Sequence, residues 1–216
     1  TSRGLGDVYK RQLVNRTALV TAGPTKEMID PVRFISNESS GKQGYAIAET
    51  LQSLGAKTTL VSGPTSLAEP NVEQVIKVNS ADQMLEACES SLPADIAVCA
   101  AAVADYKIAN KEIAKIKKDG SRQNIILEEN PDILERLSKR NHLRPKLVVG
   151  FAAETSNLER NSDEKLSKKG CDWVLGNNVS ENSIFNQDTN KIYFTSKLYS
   201  ENWELMTKKE VAKKLC

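Results

Sequence analysis

The sequence predicts an α/β fold: a doubly wound, Rossmann-like, mostly parallel sheet that ends in a C-terminal β-hairpin arm. Three observations point there. Short β-rich runs alternate with runs of helical period. Two runs, Asp95–Ala102 and Leu147–Ala153, are apolar over a strand's length, as expected of central strands covered on both faces. A long polar segment, Thr21–Gly44, separates the first strand from the first helix, where sheets of this kind bind ligands.

In chain order, Thr17–Thr21 is a short apolar strand leading to Gly23-Pro24. Gly44–Leu54 is a helix with Ile47, Leu51 and Leu54 on one face, and Gly55 stops it. Lys57–Ser62 and Val72–Val78 are strands. Ser80 caps a helix whose Ala81, Met84, Leu85 and Cys88 share a face. Gln123–Leu127 follows the first central strand as another short one. Asn130-Pro131-Asp132 opens a helix with Pro near its first position and Ile133, Leu134 and Leu137 inward. Leu158–Lys169 is a polar helix stopped by Gly170, and Trp173–Leu175 is a strand. Phe185–Thr195 carries Asn186-Gln187-Asp188-Thr189-Asn190 between apolar residues, a hairpin signal that predicts a projecting arm.

The 216 residues, 39% of them hydrophobic, suit one domain over 13–216. Residues 1–12, TSRGLGDVYKRQ, resemble a translated adapter and are set aside. The missing initiator Met and the stop at Cys216 lead us to expect a piece of a longer protein. A net charge of +2 and no long basic block argue against a general nucleic-acid binder. No run approaches the ~18 apolar residues of a membrane span, and no signal peptide is visible. Cys88, Cys99, Cys171 and Cys216 are scattered without a C-x-x-C pair, so free thiols in a reducing, cytoplasmic setting are expected.

The Thr21–Gly44 connection is far longer than an ordinary βα loop. Ser39, Ser40, Gly41 and Gly44 lead into a helix start, whose free N–H groups and positive dipole end suit a phosphate. On local features alone the same run reads equally as a plain helix cap. A Walker A loop is excluded: Ser36 stands where its first Gly belongs, and Gln43 follows Lys42. The dinucleotide G-x-G-x-x-G is absent after the first strand.

The run G-P-T-x-E-x-I-D-P-V-R-F-I-S-N-x-S-S-G-K-x-G, from Gly23 to Gly44, resembles the signature of the bacterial phosphopantothenate–cysteine ligase family. That ligase is often the C-terminal half of a bifunctional coenzyme A biosynthesis protein. Ala100–Tyr106 is similar to the family's A-A-V-A-D-Y/F segment, Lys115–Lys118 to its K-I-K-K loop, Asn130–Ile133 to N-P-D-I, and Gly150–Thr155 to G-F-A-A-E-T. The resemblance runs from about Arg16 to the C-terminus.

The resemblance implies a two-step ligation. The phosphopantothenate carboxylate attacks the α-phosphate of CTP, pyrophosphate leaves, and the cysteine amine displaces CMP from the acyl-cytidylate. It places Lys115 at the α-phosphate and Asn37 on the acyl-nucleotide. Gly23, Ser39, Ser40, Gly41 and Gly44 would hold phosphopantothenate, with Arg33 a further candidate reaching toward a neighbouring subunit. Cys99, Ala100, Ala101, Asp105, Asn130, Pro131, Asp132, Ile133 and Phe151 would hold the nucleotide, with Lys165 and Lys169 at its triphosphate. Mg²⁺ would ride on the nucleotide phosphates, because no carboxylate cluster is built to hold it. A homodimer is implied, and fusion to or association with a flavin-dependent decarboxylase domain is allowed.

Each assignment has a blander reading beside it: a solvated lysine run for Lys115, a turn residue for Asn37, core packing for the alanines, a solvated helix face for Lys165 and Lys169. His142, in a polar loop, is given no role. Tyr193-x-x-x-Lys197 has a dehydrogenase spacing but falls in a strand, which would put its ends ~13 Å apart. The rival readings are an NAD(P)-binding reductase, favoured by fold alone, and a non-catalytic relic of the ligase fold.

Overall fold

A computed structural model describes residues 12–118, 120, 122, 124–179 and 188–216. The first strand, β1 (Thr17–Ala22), lies inside an eight-stranded sheet. A short hairpin in the following connection, β2 (Lys26–Met28) and β3 (Phe34–Ser36), precedes helix α1 (Lys42–Ser53). Then come β4 (Lys57–Ser62), β5 (Gln74–Lys77), α2 (Ala81–Ser90), β6 (Ile96–Cys99), and the antiparallel pair β7 (Tyr106–Ile108) and β8 (Leu127–Glu129). The chain continues through α3 (Ile133–Ser138), β9 (Leu147–Glu154), α4 (Leu158–Lys169) and β10 (Trp173–Asn178). It ends with β11 (Thr189–Asn190), β12 (Ile192–Ser196), β13 (Ser200–Asn202), β14 (Met206–Thr207) and α5 (Lys208–Leu215).

The sheet order is β13-β12-β10-β9-β6-β1-β4-β5. From β5 across to β10 every pairing is parallel, and β12 and β13 add an antiparallel edge. After β1 the chain steps to β4 on one side and later to β6 on the other. The strand order therefore reverses between β1 and β6, which opens a crevice at their carboxyl ends.

The period-2 pattern of the strands feeds two cores. Ala18, Val20 and Val149 face α1 and α5, where Ile47, Leu51 and Val211 complete one cluster. Leu19, Val61 and Ala97 face α2 and α3 with Met84, Cys88 and Leu137, and Val148 and Val174 face α4 with Leu166. Helix α2 carries a full capping box from Ser80 and Gln83. Helix α4 ends at left-handed Gly170, where the sequence predicts it.

Several boundaries differ from expectation. The apolar run Asp95–Ala102 is a strand only over Ile96–Cys99. Asp95 joins strand starts instead: it accepts from Thr17 N at 3.0 Å and from Lys146 Nζ at 2.8 Å. Just beyond Cys99 the chain keeps to the β1 side, with Ala100 N donating to Thr21 O at 3.2 Å and Ala102 N to Gly23 O at 2.9 Å. The side toward β9 is thereby opened. The strand expected over Gln123–Leu127 begins only at Leu127, and Gln123 lies outside the described residues. Pro131 precedes the cap of α3 rather than entering the helix, since the Asp132 carboxylate is the cap and accepts Glu135 N at 2.8 Å. The expected turn at Asn186-Gln187 lies outside the described residues. The hairpin of β12 with β13 extends the central sheet from β10, and the predicted Phe185–Thr195 arm begins outside the described residues. Phe194 ties it down, stacked on Trp203 and edge-on to Trp173.

Lys146 and the Thr17 amide hold Asp95 down at about 2, against the opposing effect of its partial burial. A carboxylate of lowered pKa stabilises the fold above its unfolded pKa of roughly 4, and that contribution fades as pH falls toward 2. Asp95→Asn should therefore unfold at lower urea than the parent at pH 7, and the gap should close between about pH 4 and pH 2. Leu137→Ala, which empties a fully buried site, should cost about 2–5 kcal/mol in the same titration.

Candidate functional site

The crevice between β1, β6 and β9 is a cleft of about 1040 Å³. One wall is the loop Ser36–Gly41 and the start of α1. The other is the stretch Cys99–Tyr106, the Asn130–Glu135 segment at the head of α3, and the upper end of β9.

The first wall depends on two close approaches. Gly44, in the first turn of α1, sits so near β1 that a Cβ there would lie 2.5 Å from Ala22 Cβ and 3.0 Å from Thr21 O. Gly41 is the helix N-cap, in the left-handed region at φ 75°, and a Cβ on it would meet Thr65 Cγ2 at 2.8 Å and Gly23 at 3.4 Å. Gly41, as the N-cap, has no side chain to cap the helix. The Ser39 hydroxyl accepts from Gly41 N at 3.3 Å, within the loop, and the Ser40 hydroxyl makes a long 3.5 Å bond to Lys42 N, the first amide of the helix. The start of α1 thus faces the cleft with its positive dipole end.

Asn37 crosses from this wall to the other, its Nδ2 donating to Val103 O at 3.0 Å. Asn130 holds the far wall from behind: Nδ2 donates to Ala104 O at 2.8 Å and its backbone N to Asp105 O at 2.8 Å. Its Oδ1 is buried without a donor. Thr21 Oγ1 accepts from Ala101 N at 3.2 Å, and Thr25 Oγ1 from Ala104 N at 3.0 Å. Lys165 and Lys169 both line the cleft. Lys165 Nζ donates to Phe151 O at 2.7 Å. Lys169 pairs with Asp132 at 2.8 Å and Glu135 at 3.3 Å, and the Asp132 hydrogen bond foremost raises its pKa. Cys99 also lines the cleft, and burial, then proximity to Cys88 and Cys171, keeps it a thiol well above the ordinary range.

Of the residues that the sequence singles out, the cleft brings together Asn37, Ser39, Ser40, Gly41, Gly44, Cys99, Ala100, Ala101, Asp105, Asn130, Pro131, Asp132, Ile133, Phe151, Lys165 and Lys169. It does not include Gly23, Arg33 or Lys115. Gly23 lies beneath Gly41 and supports it from the back. Arg33 is bound to the buried Asp30 and donates to Ile116 O at 2.8 Å. Ile116 N donates to Asp30 Oδ2 at 3.2 Å and Glu112 N to Ile29 O at 3.0 Å. The loop carrying Lys115 is thereby tied to the β2–β3 hairpin, with Lys115 itself exposed. Sequence reasoning missed Asp30, and it missed the cleft residues Gln43, Asn190 and Lys208, which come together only through the fold. Tyr193 sits in β12 and reaches Asp163 at 3.4 Å, not Lys197. Among the described residues no group of three His, Cys, Asp or Glu side chains could hold a metal ion, and no helix is long and apolar enough to cross a membrane.

Residues 13–216 match the family described as DNA/pantothenate metabolism flavoprotein C-terminal domain. The chain belongs to that family. It is 42% identical over 204 residues to the coenzyme A biosynthesis bifunctional protein CoaBC of Haemophilus influenzae, a match covering 94% of this chain and 51% of that protein. The CoaBC of Vibrio vulnificus is 45% identical over 186 residues, covering 84% and 46%. The chain spans about half the length of the curated relatives it matches. Its fold is that of a solved C-terminal domain of CoaBC, with TM-score 0.78 and 38% identity over 94% of this chain and 93% of that one.

Two outcomes follow from the geometry. Gly44→Ala should push α1 off β1, lower stability by about 1–3 kcal/mol in urea unfolding, and weaken any anion bound at the helix start. Burial opposes ionisation of Asp30, but Arg33 and the amides of Val32, Arg33 and Ile116 outweigh it and hold its pKa well below the usual carboxylate range. The Lys115 loop should stay anchored above about pH 4 and loosen as pH falls below it. Asp30→Asn should loosen it at neutral pH, read as faster proteolysis at Lys115–Lys118.

Proposed function

We propose that this domain joins phosphopantothenate to cysteine, with CTP activating the carboxylate, as one step of coenzyme A biosynthesis in the cytoplasm. We read residues 13–216 as one catalytic domain. The observation that carries the proposal is the cleft itself. The Ser36–Gly44 segment and the segments Cys99–Asp105, Asn130–Ile133 and Phe151, which resemble the two substrate-binding halves of the ligase family, face one another across it, and Asn37 bridges them.

The chemistry suits that arrangement. A carboxylate is a poor acyl donor until it carries a leaving group. Its oxygen attacks the α-phosphorus of CTP, the α–β anhydride bond breaks, and pyrophosphate departs with the electron pair. The cysteine amine then attacks the acyl carbon, a C–N bond forms, the acyl–phosphate bond breaks, and CMP leaves as the amine sheds a proton. The protein's part is to align the two substrates and to neutralise charge. The buried, donor-less Oδ1 of Asn130 supports a base that offers an amino group, as cytosine does. Ser39, Gly41 and the open start of α1 would hold phosphate, while Asn37 would act on the acyl-nucleotide. Lys165 and Lys169 would turn to the triphosphate when it displaces their present partners.

Lys115 is proposed for the α-phosphate from a loop outside the cleft wall, which fits a homodimer whose protomers complete one another's sites. Val32, Phe34, Ile113 and Ile126, exposed on the same hairpin and loop, support such an interface. Arg33 belongs to that surface too, with Asp30 setting its direction. The described residues do not build a site for a divalent ion. Mg²⁺ is therefore proposed as the counter-ion of the nucleotide phosphates, and no step above is routed through it. A flavoprotein decarboxylase joined to this domain would supply the other half of a bifunctional protein of the relatives' length.

Following pyrophosphate release with CTP, Mg²⁺ and phosphopantothenate, and adding cysteine last, tests the reading. A burst no larger than the enzyme concentration is expected before cysteine, and steady turnover after it. Release indifferent to phosphopantothenate would sink the proposal, as would binding of NADPH in preference to CTP. Lys115→Gln should lose the burst, by about 10²–10³-fold in rate. Asn37→Asp should keep the burst and turn over slowly.

A further inference from the structure

We propose that Lys208, beside Lys42, forms a phosphate-binding subsite where α1 meets the cleft. The inference deepens the ligase reading and rests on it for the identity of the phosphate, though not for the existence of the subsite.

Lys208 is the first residue of α5, lines the cleft, and is only 8% exposed. A buried ammonium is expected to be paired. Among the described residues Lys208 has no ion pair, and its side chain donates no hydrogen bond. The one carboxylate nearby, Asp188, is already bound to Lys42 Nζ at 2.7 Å and is itself 81% exposed. The position is unfavourable in a second way, because a cation at a helix start faces the positive end of the dipole. Burial, and then the neighbouring Lys42, lower the pKa of Lys208, with Asp188 opposing. The folded chain thus keeps a poorly stabilised cation on the wall of its main cleft.

Its place is held from both sides. Thr207 and Glu210 form a capping box that fixes the start of α5. Lys208 N donates to Asp188 O at 2.8 Å, and Lys208 O accepts from Gln43 Nε2 at 3.1 Å. Gln43 Oε1 in turn accepts from Asn190 Nδ2 at 3.1 Å. Gln43 belongs to the first turn of α1, so Lys208 is locked to the start of that helix. The chain of amides ends at Asn190 Oδ1, which is buried without a donor. Lys208 therefore stands beside the start of a 12-residue helix with no carboxylate of its own among the described residues. A phosphate bound there would pair the lone cation, occupy the helix start, and could offer a flanking hydroxyl to Asn190.

Calorimetric titration of the whole chain with inorganic pyrophosphate tests the subsite without presuming the reaction. The parent should bind, Lys208→Gln should bind at least about tenfold more weakly, Lys208→Arg should recover most of the loss, and Lys57→Gln, at the opposite end of the sheet, should match the parent. Equal binding by Lys208→Gln, or none by the parent, overturns the proposal. Two paired arms identify the source of the phosphate. A loss on CTP but not CMP assigns the nucleotide tail, a loss on phosphopantothenate but not pantothenate assigns the phosphorylated acid, and a loss on neither removes the subsite from the reaction. If the parent binds pyrophosphate but neither CTP nor phosphopantothenate, the subsite stands and the ligase reading falls. Should the Lys208 variants fail to fold, the ammonium signal of Lys208 in the parent, followed by NMR, must move on adding pyrophosphate. An unmoved signal is fatal.

Discussion

The closeness of α1 to β1 governs much of this molecule. Helix and strand approach until only hydrogen fits at Gly44, against Ala22 and Thr21, and until Gly41 rests on Gly23 beneath Thr65. That contact seats the first turn of α1 at the carboxyl edge of the sheet, beside the point where strand order reverses. A single methyl group at Gly44 would lift the helix off the strand and withdraw its N–H groups from the cleft. The same seating brings Gln43 to α5, so the helix start, Lys208 and Asn190 form one connected corner.

Across the cleft the walls are joined by side chains that bond to backbone rather than to one another. Asn37 reaches Val103 O, Asn130 reaches Ala104 O, and Thr21 and Thr25 accept from Ala101 and Ala104. These bonds shape the Cys99–Tyr106 stretch after it leaves the β-ladder, and they keep its small residues at the surface of the cleft. Charge is arranged differently at the two ends. Lys169 is balanced by Asp132 and Glu135, whereas Lys208 makes no ion pair among the described residues and feels Asp188 only at a distance.

Much was legible beforehand because it depends on local pattern. Strands Thr17–Ala22 and Lys57–Ser62, helix Leu158–Lys169 with its stop at Gly170, and the capped start of α2 follow from period, capping and glycine placement. The short elements escaped notice. Strands of two or three residues, such as β2, β3 and β14, carry no period to detect, and they exist because a partner strand happens to lie alongside. The terminal helix α5 is polar along most of its length and shows only a narrow apolar edge, Val211 and Ala212, packed into the core beside α1. The end of the Asp95–Ala102 run was unreadable for a similar reason: alanines suit strand and loop alike, and only the loss of β9 as a neighbour ends the strand at Cys99.

The sequence by itself determined the fold class, the position of the long connection after β1 and the ordered motifs that mark the family, because each of these is written in residues close together along the chain. Which of those residues share one cleft was decided by the tertiary structure. So was the finding that Gly23 works from behind and that Arg33 and Lys115 belong to a tethered hairpin and loop. Lys42 and Lys208 are joined at one corner by Gln43 and Asp188, though they stand at opposite ends of the domain in sequence. Burial, loss of solvent and the pairing of charges are properties of neighbours in space, and spacing along a chain does not encode them until the chain has folded.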